Sequence, residues 1–276
     1  MTPPRDQPSA PSGAPASNRP HTRPPTLYAS PEIYDVAFGW DLSLELDFIE
    51  ECFRRHVPGG VRRVLEPACG TGRVLAALAA RGYQVSGYDQ SPEMVRFAAE
   101  RLHAVGGAIQ RGDMQSFRPP GSFEAAINLV NSIGYLLGDA DLLLHLDRIA
   151  AALRPGGVYL VQLNYGGEPP ELASFGPWGN CQGTVSTTLT WRVVREDVGT
   201  KRSYQECRIS ARRGRERVTI NEAHTLRRWT QEDVDRIVEE SPFTLAAVYH
   251  DRFEAFDAAT PRTGEHGNLY HVLQRD

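Results

Sequence analysis

Apolar positions in the first 165 residues alternate between two periods, and the pattern changes after Tyr165. Leu42, Leu46, Ile49 and Phe53 recur at steps of four, three and four, which places them on one face of a helix over residues 42–56. Pro58-Gly59-Gly60 ends that helix. Val64 and Leu65 follow as a short buried strand, and Gly70-Thr71-Gly72 turns the chain into a helix over residues 73–80. Gly82 stops it, and a second strand covers residues 83–88. Ser91-Pro92-Glu93 offers a hydroxyl cap followed by proline at the first helical position, so a helix runs from there to about Val105. A third strand is expected over residues 108–110 and a fourth over 123–130. A helix over residues 140–153 is broken by Arg154-Pro155-Gly156-Gly157, and a fifth strand covers 158–163. Strands alternating with helices imply parallel βαβ units and a doubly wound α/β sheet with helices on both faces.

Beyond Tyr165 a Gly/Pro-rich loop extends to about Gly183. Three β-type runs follow, over residues 186–194, 202–210 and 215–226, joined by Asp197-Val198-Gly199 and Arg213-Gly214. Consecutive strands with short turns make an antiparallel meander, expected as a cap inserted at about residues 180–228 after the fifth strand. Thr230 and Asp233 form a capping box for a helix to about Glu240, and strands over 244–250 and 269–274 complete the sheet. Residues 1–26 are rich in Pro, Ser, Ala and Arg, too poor in large apolar groups to offset their chain entropy, and are expected to be disordered. A single main domain is expected over residues 27–276.

The 276 residues are 41% hydrophobic and 23% charged, an ordinary globular balance. A net charge of -4 gives no basic excess, so no nucleic-acid partner is expected. No apolar stretch approaches the ~20 residues of a membrane span, and no signal core opens the chain. Cys52, Cys69, Cys181 and Cys207 are scattered, with no CxxC or His-rich spacing, so neither a disulfide framework nor a metal site is expected. A cytoplasmic protein with reduced thiols fits.

Residues 64–72, Val-Leu-Glu-Pro-Ala-Cys-Gly-Thr-Gly, concentrate the chemistry. Glycines after a parallel strand let backbone approach a ligand, and the next helix points free N–H groups into the same crevice. Gly70 and Gly72 match the start of a dinucleotide fingerprint, but Leu75 stands where the third glycine belongs. Glu66 would repel a pyrophosphate and suits a ligand with a cationic amino group. Asp89 ends the second strand, where a carboxylate can accept from both ribose hydroxyls. Asp113 follows the third strand and can accept from an adenine amino group, while Met114 can cover the ring. Together these residues favour S-adenosylmethionine over NAD.

On these motifs the chain resembles the class I S-adenosylmethionine-dependent methyltransferases, strongly over residues 28–165. Glu66 to Gly72 matches the family's first motif, Asp89 its ribose acid and Gly112-Asp113-Met114 its adenine motif. Asn131-Ser132-Ile133-Gly134 is similar to the family segment between cofactor and substrate. The resemblance implies a Rossmann-like, seven-stranded, mostly parallel sheet with one antiparallel strand near its end. It implies that Tyr34, Trp40, Glu66, Ala68, Gly70, Asp89, Gln90, Asp113, Met114, Leu129 and Asn131 hold S-adenosylmethionine. Tyr34-Asp35 and the antiparallel insertion bring the chain closer to the small-molecule N-methyltransferases of amino-sugar and glycine-type substrates.

Methyl transfer is an in-line displacement that relies mostly on alignment. A hydroxyl acceptor needs a general base where an amine does not. Tyr165 and His224 are the catalytic candidates, with His250 behind them, while Trp178, Trp191 and Tyr204 read as packing residues. Arg192, Arg195, Arg208, Arg212 and Arg213 read most simply as solubilising a β-cap, with attraction of an anionic substrate as the alternative. The expected partner is a small-molecule acceptor methylated at nitrogen or oxygen, with a homodimer possible. A non-catalytic S-adenosylmethionine-binding protein and an NAD-dependent oxidoreductase are the alternatives.

Overall fold

In the computed structural model, residues 25–166, 174–250 and 253–276 are described. The expectation of disorder for residues 1–26 falls mostly outside them. The chain opens with α1 (Pro31–Ala37) and α2 (Ser43–His56). Next come β1 (Arg63–Pro67), α3 (Arg73–Ala80), β2 (Gln84–Asp89), α4 (Pro92–Leu102), β3 (Ala108–Arg111) and β4 (Phe123–Asn128). The helix α5 (Asp139–Ala152) leads into β5 (Leu153–Asn164). The second part holds β6 (Ser174–Gln182), β7 (Val185–Asp197), β8 (Arg202–Arg213), β9 (Glu216–Arg227), α6 (Gln231–Glu239), β10 (Phe243–Tyr249) and β11 (Asn268–Arg275).

Seven strands form one sheet in the order β10-β11-β5-β4-β1-β2-β3. Every pairing from β5 to β3 is parallel, and only β11 runs antiparallel to its neighbours β5 and β10. The strand order reverses beside β1, so the C-terminal ends of β1, β2 and β4 border a crevice. Central β4 is buried at every position, as a strand covered on both faces must be. One core, with Leu142, Leu146 and Ile149 of α5 and Val234 and Ile237 of α6, fills one face. The other holds Ile49 and Phe53 of α2, Leu75 and Leu78 of α3, and Leu102 of α4. Each such fully buried Leu or Ile contributes roughly 2 kcal/mol.

The cap is a separate four-stranded antiparallel sheet, ordered β6-β7-β8-β9. The Gly/Pro-rich stretch read as loop up to Gly183 therefore contains a strand, β6. Its pairing with β7 is irregular between Phe175 and Trp178, which hides the alternation that marks a strand. A second difference lies at α1, where Ser30-Pro31-Glu32 repeats the helix-start pattern of Ser91-Pro92-Glu93. Ser91 Oγ accepts from the Met94 N–H, whereas Ser30 makes no side-chain cap bond. The face of the cap sheet carrying Leu189, Cys207 and Ile209 packs on Leu27, Ala37 and Phe38. The N-terminal segment is thus clamped between cap and crevice. Trp178 Nε1–H donates to Ala37 O at 3.0 Å and Asn180 Nδ2–H to Gly39 O at 2.7 Å.

Candidate functional site

The turn after β1 is built from left-handed backbone. Ala68, Gly70 and Gly72 have φ of 52°, 54° and 69°. The Tyr34 ring lies over Gly70, 3.7 Å from where a Cβ would stand, and it is the left-handed φ that favours glycine here. Asp89 closes the turn from the side. Its Oδ2 accepts from the Gly70 N–H and its Oδ1 from the Ser91 N–H, both at 2.9 Å. Burial raises the Asp89 carboxyl above its ordinary range, and these backbone donors oppose the shift.

Asp89, Gln90, Asp113 and Met114 line a cavity of about 280 Å³ together with Tyr28, Tyr34, Ala68 and Gly70. Beside it, Glu66, Ala68, Gly70, Arg73 and Leu129 line a narrower recess with Tyr34 and Trp40. Glu66 is 6% exposed and its Oε2 is buried without a partner. Burial pushes this carboxyl well up, and the charge of Arg73 opposes the rise. An orphaned acceptor beside a glycine turn is a place for a cationic donor. A larger chamber of about 570 Å³ continues from the recess, with Trp40, Asn131, Gln162, Trp178, Trp191 and Tyr270 in its wall. Tyr28, Tyr34, Ser132 and Tyr135 border both the first cavity and this chamber, so they stand at the junction.

The segment after β4 forms that junction under strain. Val130 and Asn131 are consecutive left-handed residues at φ 56° and 52°, and a β-branched residue there costs roughly 1–3 kcal/mol. Three cross-ties hold the conformation. Asn128 donates to Pro67 O at 3.0 Å and accepts from the Ile133 N–H at 2.8 Å. Gln162 Oε1 accepts from the Val130 N–H, and Asn131 Oδ1 accepts from Trp229 Nε1–H at 3.0 Å.

The structure therefore brings all eleven candidate cofactor residues to one connected crevice. Tyr165 does not join them. Its hydroxyl shares a hydrogen bond of 2.8 Å with His271 Nε2, and its ring stacks on that imidazole inside the core. His224 stands one layer behind the chamber wall. It stacks on Trp191 with centroids 4.8 Å apart, and its Nδ1 shares a bond of 2.9 Å with the Tyr135 hydroxyl. Tyr135 in turn shares one of 2.6 Å with Tyr28. Burial lowers the His224 pKa, partly offset by the charge of Glu222. His250 packs against Phe256 and His266 and does not reach the chamber. Trp178 and Trp191, read as packing residues, also line the chamber, while Tyr204 lies under Arg195.

Two supporting residues escape the sequence reading. Tyr28 falls at the edge of the Pro-rich segment, where nothing in its neighbours marks it. His145 sits on the buried face of α5 with Leu142, Leu146 and Ile149, and that position was the available signal. Its Nδ1 lies 3.1 Å from Met114 O and its Nε2 2.9 Å from the Tyr159 hydroxyl. A carbonyl only accepts, so Nδ1 carries the proton and Nε2 accepts from Tyr159. The imidazole thereby anchors the Met114 backbone at the rim of the first cavity.

The crevice lies at the switch point of a seven-stranded sheet with β11 reversed. Residues 64–157 match the family model of a methyltransferase domain. The chain has the class I methyltransferase fold. Over 134 residues it is 34% identical to a dTDP-3-amino-3,6-dideoxy-α-D-glucopyranose N,N-dimethyltransferase of Streptomyces fradiae, covering 48% of this chain and 51% of that protein. A dTDP-3-amino-3,4,6-trideoxy-α-D-glucopyranose N,N-dimethyltransferase of Streptomyces venezuelae is 30% identical, covering 48% and 55%. The match thus spans about half the length of these curated relatives. DesVI of Streptomyces venezuelae superimposes with a TM-score of 0.71 at 20% identity, covering 89% of this chain and 98% of that one. The sugar N-methyltransferase KedS8 of a Streptoalloteichus species gives 0.68 at 20% identity, covering 97% and 100%. These likenesses carry the fold, cap included. No described helix is long and apolar enough to cross a membrane.

Proposed function

We propose that this protein transfers a methyl group from S-adenosylmethionine to a nitrogen or oxygen of a small molecule. The observation that carries the reading is Glu66 Oε2, a buried, unpartnered carboxylate oxygen beside the glycine turn and one crevice away from Asp89. A ligand with an amino group at one end and a ribose at the other satisfies both acids. Glu66, Ala68, Gly70 and Leu129 would take the amino-acid end, Asp89 and Gln90 the ribose, and Asp113 and Met114 the base. Tyr34, Trp40 and Asn131 would close the middle. S-adenosylmethionine supplies a methyl on a sulfonium, whose S–C electrons stay on sulfur as the acceptor's lone pair bonds the carbon.

The chain's own part is alignment and exclusion of water. Tyr28 and Tyr34 lie over the crevice, and Ser132 and Tyr135 face them across the junction. For a hydroxyl acceptor, Tyr135 relays the proton to Nδ1 of His224, which burial favours in the neutral form with a lone pair to receive it while lowering its basicity. For an amine acceptor the same pair only orients. Leu75, 0% exposed beneath the turn, fills the place a dinucleotide fingerprint gives to glycine and weighs against NAD. Four free cysteines support a cytoplasmic setting.

Calorimetric titration with S-adenosylhomocysteine tests the reading. Micromolar binding that Glu66→Gln weakens about tenfold is the expected result. Equal binding of NAD, or no binding of S-adenosylhomocysteine, would reject it.

A further inference from the structure

The chamber beyond the junction has a wall chemistry of its own. Aromatic rings reach it from three parts of the fold: Trp40 from the N-terminal segment, Trp178 and Trp191 from the cap, and Phe253 and Tyr270 from the edge of the main sheet. Glu45, in the first turn of α2, joins the same wall and accepts from the Tyr270 hydroxyl at 3.1 Å. Asp41 is also in the wall but is engaged just before α2, accepting from Ser43 N–H and Oγ–H. Among the described lining residues there are these two carboxylates and no Lys, Arg or His. Arg73 lies over the Trp40 ring at 4.4 Å, on the side of the donor recess.

Aromatic faces and a half-buried carboxylate both favour a cation, and the rings also favour a flat or alicyclic apolar body. A diphosphate placed there would lie beside Glu45, whose charge Arg73 partly offsets from the donor recess, with no Lys, Arg or His among the described lining residues, and a desolvated anion without a partner in the wall is costly. Resting on the proposed methyl transfer, we infer that the acceptor is a free amine carried on a ring-bearing body whose polar substituents Asn131, Gln162, Asn164, Gln205 and Asn268 can meet, not a sugar esterified to a nucleoside diphosphate. Such an acceptor differs from the dTDP-sugars in the names of the two Streptomyces relatives. A volume of about 570 Å³ accommodates a molecule of that size.

Tryptophan emission reads the chamber directly, since Trp40, Trp178 and Trp191 line it and the fourth, Trp229, is buried against Asn131. The protein saturated with S-adenosylhomocysteine is titrated with phenethylamine, its neutral analogue 2-phenylethanol, and thymidine 5′-diphosphate. Phenethylamine is expected to quench with an affinity about tenfold above the alcohol, and thymidine diphosphate not to quench. Glu45→Gln is expected to bring amine and alcohol within about twofold. Thymidine diphosphate binding as tightly as the amine, equal binding of amine and alcohol, or no amine binding would each overturn the inference. Should calorimetry find no S-adenosylhomocysteine binding, the methyl-transfer reading fails instead, and the same titration on the protein alone still reports the chamber.

Discussion

The Thr71 hydroxyl, inside the glycine turn, donates to Asp35 Oδ1 of α1 at 2.8 Å. Arg101 of α4 completes the junction, pairing with Asp35 at 2.5 Å and donating to Thr71 O at 3.2 Å. One buried carboxylate therefore fastens the N-terminal segment to the turn that borders the crevice. Tyr34, one residue earlier, is held over Gly70 by that fastening.

Asp35→Ala should leave the half-buried Arg101 without its ion-pair partner, holding only Thr71. We expect a loss of about 2–3 kcal/mol in urea unfolding, and weaker S-adenosylhomocysteine binding because the segment bearing Tyr28 and Tyr34 loosens. Hydrogen exchange over residues 31–38 checks the cause. Unchanged protection there would separate the stability loss from any opening of the segment.

Asp89→Ala removes the acceptor of two backbone N–H groups as well as the proposed ribose anchor. S-adenosylhomocysteine affinity should fall at least about tenfold, with a loss of about 1–2 kcal/mol in stability. Asp89→Asn keeps an acceptor for one N–H and should recover part of the stability but little of the affinity. Calorimetry and thermal unfolding on both variants distinguish the two roles.

The crevice was legible because its chemistry sits in contiguous motifs at strand ends. Glu66, Gly70, Asp89 and Asp113 each lie in the last two residues of a strand or in the turn after it, so locating the strands located the acids. The cap and the acceptor side were less legible. Trp178 belongs to an irregularly paired strand, and Tyr165 reaches its His271 partner across 106 residues, so sequence neighbours reveal neither. The Tyr28–Tyr135–His224 chain joins three distant segments in the same way.

Tyr135→Phe tests that chain. It removes the hydroxyl between Tyr28 and His224 while keeping the ring at the junction. With an amine acceptor, kcat should fall only several-fold, since orientation alone is lost. With a hydroxyl acceptor it should fall about a hundredfold, the ordinary worth of a proton-transfer partner. S-adenosylhomocysteine affinity should change little in either case.

Stability should decline as pH falls from about 6.5, and the sign follows from two buried histidines. Burial lowers His145 from 6.5 to about 4, and burial with the charge of Arg262 lowers His271 to about 3. Between those values and 6.5 the unfolded chain binds protons that the folded chain refuses. Stability from each group is therefore full above about pH 6.5 and drains away as pH drops toward the folded value, by roughly 3 kcal/mol for His145. His224 and His56 are shifted down by burial and act in the same direction. Glu66, Asp89 and Glu45, all raised by burial, act the opposite way, because the folded chain holds protons there that the unfolded chain has released. A difference measurement isolates the histidine. His145→Gln cannot titrate, so urea unfolding at about pH 7 and about pH 5 should show a smaller loss for the variant than for the parent. The variant should also bind S-adenosylhomocysteine less tightly, because the tie from the ring to Met114 O is changed. Equal slopes in the two proteins would remove His145 from the account of acid sensitivity.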